Sequence, residues 1–172
     1  MFRPALTRRQ PGRVWWSAPA FEEALSEAQR SFPLETGGLL LGWSTGPSAV
    51  VISHVIGPGP GANHQATSFL PDAPWQQNRL DHAYEAAGRR LQYLGDWHTH
   101  PQGACQLSST DRATLRRIAR HAEARVSHPV MAVIAGGPLW KVAVHRHRRG
   151  HRPPAMLALD IWTRPPATVA PT

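Results

Sequence analysis

The residues with the clearest capacity for chemistry lie between positions 98 and 111. His98-Thr99-His100-Pro101 is followed by QGACQL and then by Ser108-Ser109-Thr110-Asp111. In an extended strand, side chains two apart share a face, so His98 and His100 can present both imidazoles to one point. Asp111 stands at the start of a predicted helix, where the amide dipoles favour a carboxylate. If the intervening loop folds back, Asp111 completes a set of two nitrogens and one oxygen. Two histidines and a carboxylate, with a fourth position left to water, form the donor set of a catalytic zinc site. A structural site would close its shell, usually with cysteines, and this chain has only Cys105.

A metal site hydrolyses little without a base and an oxyanion donor. Glu35 is the candidate base: it precedes Thr36-Gly37-Gly38 at the mouth of an apolar strand, with no basic neighbour in sequence to pair with it. Ser108, three residues before Asp111, is the candidate donor to a developing oxyanion.

These residues need particular elements to hold them. Val14–Trp16 reads as a first strand, and Ser17 as the N-cap of a helix with Pro19 in its first turn and Phe21, Leu25, Ala28 and Phe32 on one face. Pro33 stops that helix, and Gly37-Gly38 opens the strand LLLGW, paired with Ala49–Ile56 across the turn STGPS. Residues 57–74 read as loop with a short strand at Thr67–Leu70. A second helix is expected from Pro74 to Arg90, turning Trp75, Leu80, Tyr84 and Ala87 toward a core. Leu91–Trp97 reads as a strand running straight into HTHP. A third helix is expected from Ser109, with Leu115, Ile118 and Ala122 buried. Pro129–Ala135 and Leu139–Val144 read as strands around a Gly136-Gly137-Pro138 turn. The stretch AMLALDIWTRPP fits a last strand or a docking tail equally. The order is α+β, with about three helices flanking a mixed sheet.

Glu35 in ETGGLLLG, followed by HTHPQGACQLSSTD, resembles the signature of the JAMM (JAB1/MPN/Mov34) zinc metalloproteases: a glutamate near a Gly-rich strand, then His-x-His-Pro, six residues, and Ser-x-x-Asp. His98, His100, Pro101, Ser108 and Asp111 match its spacing residue for residue. A His-x-His pair alone is ordinarily a packing or surface feature, and amidohydrolases and metallo-β-lactamases also use one. The further positions are what make the pattern specific. The resemblance implies a JAB/MPN-type, cytidine-deaminase-like fold over residues 14–145. Outside it, residues 1–13, rich in Arg and Pro, read as a flexible arm, and 146–172 as a basic tail that docks on the domain or hangs free. It implies zinc held by His98, His100 and Asp111, Glu35 as general acid and base, and Ser108 stabilising the tetrahedral intermediate. It also implies a substrate: a ubiquitin-like protein or its conjugate, whose extended C-terminal tail adds to a sheet edge near residues 57–71. The size and composition resemble bacterial stand-alone members of CBASS or Bil antiphage operons, where activating and conjugating enzymes of the same operon are partners. Release of cysteine from, or trimming of, a sulfur-carrier protein is an alternative with the same chemistry. A non-catalytic MPN scaffold is a second alternative, against which the complete ligand set argues. Cys105 reads as a small apolar group in the loop.

With 172 residues the chain suits one domain, and a single cysteine excludes an internal disulfide. No apolar run approaches the roughly 20 residues of a membrane helix, and no apolar stretch follows the basic residues of MFRPALTRRQPGRVWW, so a soluble, cytoplasmic protein is expected. The net charge of +8 comes from 19 basic and 11 acidic residues, and only one of the basic residues, Lys141, is a lysine. So strong a bias toward arginine fits the codon usage of a GC-rich genome. The run Arg146, Arg148, Arg149 and Arg152, interleaved with His145, His147 and His151, fits a solvated strand end, a phosphate site or a patch for an acidic partner. No aromatic residue is interleaved to stack bases, so nucleic acid is not the expected partner. His54, His64, His82, His121 and His128 lack partner spacing and read as ordinary strand or surface residues, and the seven tryptophans read mostly as core.

Overall fold

The computed structural model describes residues 12–46, 49–150 and 152–163. Most of the expected arm, two residues of the STGPS turn, His151 and the end of the tail lie outside them. Nine strands and three helices follow in the order β1 (Arg13–Ser17), α1 (Ala18–Ser31), β2 (Gly37–Ser44), β3 (Ala49–Ile56), β4 (Asn63–His64), β5 (Phe69–Leu70), α2 (Ala73–Ala86), β6 (Gln92–Pro101), α3 (Ser109–Arg120), β7 (Val130–Gly136), β8 (Lys141–Arg146) and β9 (Ala155–Trp162), with a short 3-10 turn at Ala122–Ala124.

Seven strands form one mixed sheet in the order β1-β3-β2-β6-β7-β8-β9. The pairs β1/β3, β1/β9 and β6/β7 are parallel, and the others antiparallel. The mixed sheet and three helices agree with the α+β reading, but the sheet is not open: β9 returns to pair with β1 and closes a barrel. Register shifts within β2, at Leu40/Leu41 toward β6 and at Leu41/Gly42 toward β3, are irregularities of the kind that bend strands and increase twist. The stretch AMLALDIWTRPP, read as strand or tail, is therefore a strand as far as Trp162. The expected boundary at 145 falls inside β8.

The main core combines Val14 and Trp16 of β1, Leu40 of β2, Val50 and Ile52 of β3, Trp97 of β6, and Val130, Ala132 and Ile134 of β7. Against it α1 presents Ala20, Ala24 and Ala28, with Phe21 and Leu25 packed alongside. The expected stripe of Phe21, Leu25, Ala28 and Phe32 is thus turned by about one residue. Only the small side chains let the helix approach the sheet closely, and the larger ones wedge in at the edge, Phe21 standing edge-on to Trp16 at 5.4 Å.

The alternate residues of β7, Met131, Val133 and Ala135, pack on the sheet's other face with Leu107, and with Leu115 of α3. Ala122, expected in that stripe, falls beyond the end of α3 in the exposed 3-10 turn. The second helix departs most from expectation. It ends at Ala86 rather than Arg90, where Gly88 and Arg89 take positive φ of 59° and 63°, and it lies on the periphery. Gln76 is its one buried residue, its amide donating to the Gly57 carbonyl at 2.8 Å, while Tyr84 is exposed. Of the tryptophans, Trp16 and Trp97 are fully buried, and the rest are half-buried.

Candidate metal centre and active-site cleft

Two-residue alternation along β6 sorts its side chains. Trp97 and Thr99 point into the core with 1% and 0% exposure, which leaves Asp96, His98 and His100 on the face that also carries Met131 and Val133 of the neighbouring β7. The loop after Pro101 folds back as required, tied down by the Gln102 amide to the Gly136 carbonyl at 2.8 Å and by a bond between His145 Nε2 and the Cys105 carbonyl at 2.9 Å. Cys105 packs beside Leu107 in the second cluster, the apolar role expected of it.

Asp111 is brought up by the first turn of α3. The Ser108 hydroxyl accepts the Asp111 amide at 3.1 Å, and the Asp111 carboxylate accepts the Ser108 amide at 2.7 Å, a reciprocal capping box. His98 Nε2 and His100 Nε2 stand 3.0 Å apart, Asp111 Oδ1 is 3.3 Å from the first, and Asp111 Oδ2 is 3.5 Å from the second. A tetrahedral ion with bonds of about 2.0–2.2 Å separates its ligand atoms by roughly 3.3–3.6 Å, and one donor atom from each of these three residues lies within 4.8 Å of the others, close to such a shell. His100 Nδ1 lies 2.9 Å from the Ala104 carbonyl, and donating to it leaves the Nε2 lone pair facing the other donors. The donor set and its spacing fit a divalent metal.

Without a metal the same closeness shifts protonation. The Asp111 carboxyl is held well below the ordinary carboxylate range: burial pushes it up, but hydrogen bonds from His100, His98 and Ser108 outweigh burial. His100 is raised, first by its bond to Asp111.

Glu35 approaches from β2's side of the barrel. Its amide donates to the Gln65 carbonyl at 2.8 Å, and its carbonyl lies 2.9 Å from His64 Nδ1, so the β4–β5 ribbon grips its main chain on both sides. The next residue is locked as well: Thr36 N–H donates to Thr99 Oγ1 at 2.9 Å, and Thr99 N–H to the Thr36 carbonyl at 2.8 Å, on the far side of the strand from His98 and His100. Glu35 therefore joins His98, His100, Ser108 and Asp111 in the lining of one cleft of about 560 Å³. Burial pushes its carboxyl above the usual value, against the pull of His100 and His98.

All five residues singled out in the sequence thus meet in one cleft. His64, taken for an ordinary strand residue, clamps Glu35. Asp96 and Arg117 line the inner wall of the cleft, and Phe69 and Leu70 of the ribbon line it as well. Burial raises the Asp96 carboxyl, opposed by the hydroxyl that Tyr93 donates to it. Spacing marks neither Phe69 and Leu70, which pairing of β4 with β5 brings to the cleft, nor Arg117, which the seating of α3 on the sheet brings there. Only the position of Asp96, two residues before His98 on the same strand, carries a signal.

Residues 17–149 match the family described as prokaryotic homologs of the JAB domain. A protein named "Probable metalloprotease y4qB" from Sinorhizobium fredii is 40% identical over 129 residues, 74% of this chain and 79% of that protein. A "CD-NTase/cGAS isopeptidase" from Enterobacter hormaechei is 29% identical over 128 residues, 71% of this chain and 67% of the relative. Among solved structures, protein DSY2949 from Desulfitobacterium hafniense superposes with a TM-score of 0.65 over 88% of this chain and 94% of its own, at 17% identity, a likeness of fold. The matched span contains Glu35 and the whole of the His-x-His-Pro to Asp111 segment. The chain belongs to the prokaryotic JAB family, whose metalloprotease relatives imply a metal ion at the centre just described.

Proposed function

We propose that the chain is a zinc-dependent isopeptidase or peptidase that cleaves after the C-terminal glycine of a ubiquitin-like protein or its conjugate. The observation that carries this reading is the convergence of His98, His100 and Asp111 at ligand spacing with Glu35 in the same cleft. Zinc held by these three side chains would supply a Lewis acid and lower the pKa of a water to about 7. Glu35 takes the proton of the attacking water and returns it to the departing amine, and a carboxyl raised by burial suits a group that must both accept and release a proton near neutrality. Ser108 Oγ accepts from the Asp111 amide, which leaves its own hydrogen to donate toward the oxyanion.

The relatives named as isopeptidases support deconjugation, and the β4–β5 ribbon beside the cleft offers a short edge for an extended tail. The name CD-NTase/cGAS isopeptidase supports a conjugate of a CD-NTase system as the substrate, and on that reading the chain works in a cytoplasmic antiphage conjugation pathway of bacteria. No helix among the described residues is long and apolar enough to cross a membrane.

The test is metal analysis of the purified chain together with turnover of a fluorogenic peptide ending in Gly-Gly joined to a lysine ε-amine. About one zinc per chain is expected, lost in His98→Ala. Glu35→Gln should keep the zinc while turnover falls by about 10²–10⁴-fold. Metal-free protein with intact turnover, or full activity in Glu35→Gln, would falsify the reading.

A further inference from the structure

Arg112, Arg116 and Arg120 stand four residues apart along α3, a spacing of roughly 6 Å per step on one helix face. Together with His147, Arg149 and Arg152 from the connection between β8 and β9, they line a groove of about 710 Å³ separate from the cleft that holds Glu35. No carboxylate among the described residues lines it. Among the described residues Arg116, Arg120, Arg149 and Arg152 form no ion pair, and His147 Nδ1 is buried without a hydrogen-bond partner.

From this we infer that the groove is a binding site for a small ligand carrying several clustered phosphate groups. The Arg112 guanidinium donates to the Leu107 carbonyl. The other four guanidinium groups lining one concave space repel one another, and a codon bias toward arginine explains their number but not their gathering in one groove. The His128 imidazole beside it is pushed below its ordinary value by burial first, then by Arg146, which stands outside the groove, and then by Arg149 and His147, which line it.

The ligand class follows from charge density and shape. Guanidinium forks pair bidentately with phosphate oxygens, and a compact oligophosphate concentrates enough negative charge to match four of them within the groove. A peptide spreads its carboxylates over a longer path. Single-stranded nucleic acid gains from aromatic platforms, and the groove has none. Arg146, part of the same basic run in sequence, is buried instead and donates to Ser44 Oγ at 3.3 Å, so it stands outside the groove.

The experiment is calorimetric titration of the zinc-loaded full chain with sodium tripolyphosphate, with sulfate at matched ionic strength and with a 20-nucleotide single-stranded DNA. Tripolyphosphate should bind saturably and at least about tenfold more tightly than sulfate. Arg116→Ala/Arg149→Ala should weaken it by about a hundredfold, with zinc content and melting temperature unchanged. Binding that survives in the double variant points to chelation at the metal centre and overturns the inference. So does a tripolyphosphate affinity no better than that of sulfate, or tight binding of the DNA without tripolyphosphate.

Discussion

The Ser108 hydroxyl accepts the Asp111 amide and the Asp111 carboxylate accepts the Ser108 amide, so the residue that caps α3 also orients a metal ligand and lines the cleft. Its two duties separate by substitution. Glycine is almost as good an N-cap as serine, whereas alanine costs about 1 kcal/mol. Ser108→Gly should therefore melt within a few degrees of the parent, and Ser108→Ala lower, while the oxyanion role proposed for Ser108 predicts a loss of about 10²–10³-fold in kcat for both. A glycine variant with normal turnover would limit Ser108 to the cap. Protonation at the centre yields a second prediction. In metal-free protein, the raised His100 contributes stability that is present below the unfolded imidazole value near 6.5 and is lost as pH rises through its folded value. The depressed Asp111 contributes above about 3.9 and is lost only as pH falls far into acid. Metal competes with the imidazole protons, so its stabilisation grows as they leave. The gap in melting temperature between zinc-loaded and metal-free protein should widen from pH 5.5 to pH 8, and a constant or narrowing gap counts against a metal at these residues. The centre was legible in the sequence because alternation on a strand and capping at a helix start are local rules. The clamp of His64 on the Glu35 carbonyl was not, since it depends on two remote segments meeting, nor was Arg117, whose place in the cleft depends on how α3 seats on the sheet.

β2 and β6 are held in register by paired backbones that touch where side chains are missing. A methyl at Gly38 would collide with the Ile56 carbonyl and reach 2.9 Å from Trp97 Nε1, and one at Gly37 would press on His98 Cα at 3.0 Å. Neither glycine needs an unusual φ; the constraint is the close approach of neighbouring strands. Gly37→Ala should therefore displace the strand that carries the ligands. The expected outcome is a fall of about 1–3 kcal/mol in stability with weakened zinc affinity, read by denaturant titration and by competition with a chelator. Stability lost without any change in zinc affinity would show that β6 absorbs the strain away from His98. The junction behind Glu35 is fixed from the other side by Glu27, which accepts from Arg30, Ser31 and Thr36. Burial alone would raise the Glu27 carboxyl, and these bonds hold it below its usual value. The limits of periodicity also belong to this scale. The buried stripe on α1 is offset by one residue from its bulkiest side chains, because closeness of approach to the sheet decides burial there. The inward face assigned to α2 was misread because Trp75, Leu80 and Tyr84 have helical spacing whether or not a sheet lies beneath them. Only Gln76 is buried there, and it is buried for a hydrogen bond rather than for apolar area.

Closure of the sheet is a property of the whole chain, and no local window contains it. β1 and β9 lie at opposite ends of the sequence, yet Arg13–Ser17 pairs with Ala158–Trp162 in parallel, while Ala155–Leu157 pairs with Val144–Arg146. Apolar alternation in AMLALDIW marks a strand but names no partner, which is why a docking tail read equally well. The pairing makes a test. A chain ending at Pro154 would retain Glu35, His98, His100, Ser108 and Asp111, and would keep the whole span shared with the family, yet it would expose two strand edges at once, on β1 and on β8. It would also uncover Val14, Trp16 and Val144, which pack with Leu157 in the main core. Open edges beside apolar surface pair with other chains. The expected outcome is therefore aggregation on expression, or a soluble fraction melting at least about 10 °C lower with zinc binding impaired, from the loss of several kcal/mol of burial and ladder bonding. If the shortened chain melted with the parent and held zinc equally well, β9 would be an accessory to a sheet that stands without it. The centre would then depend on β2, β6, β7 and α3 alone.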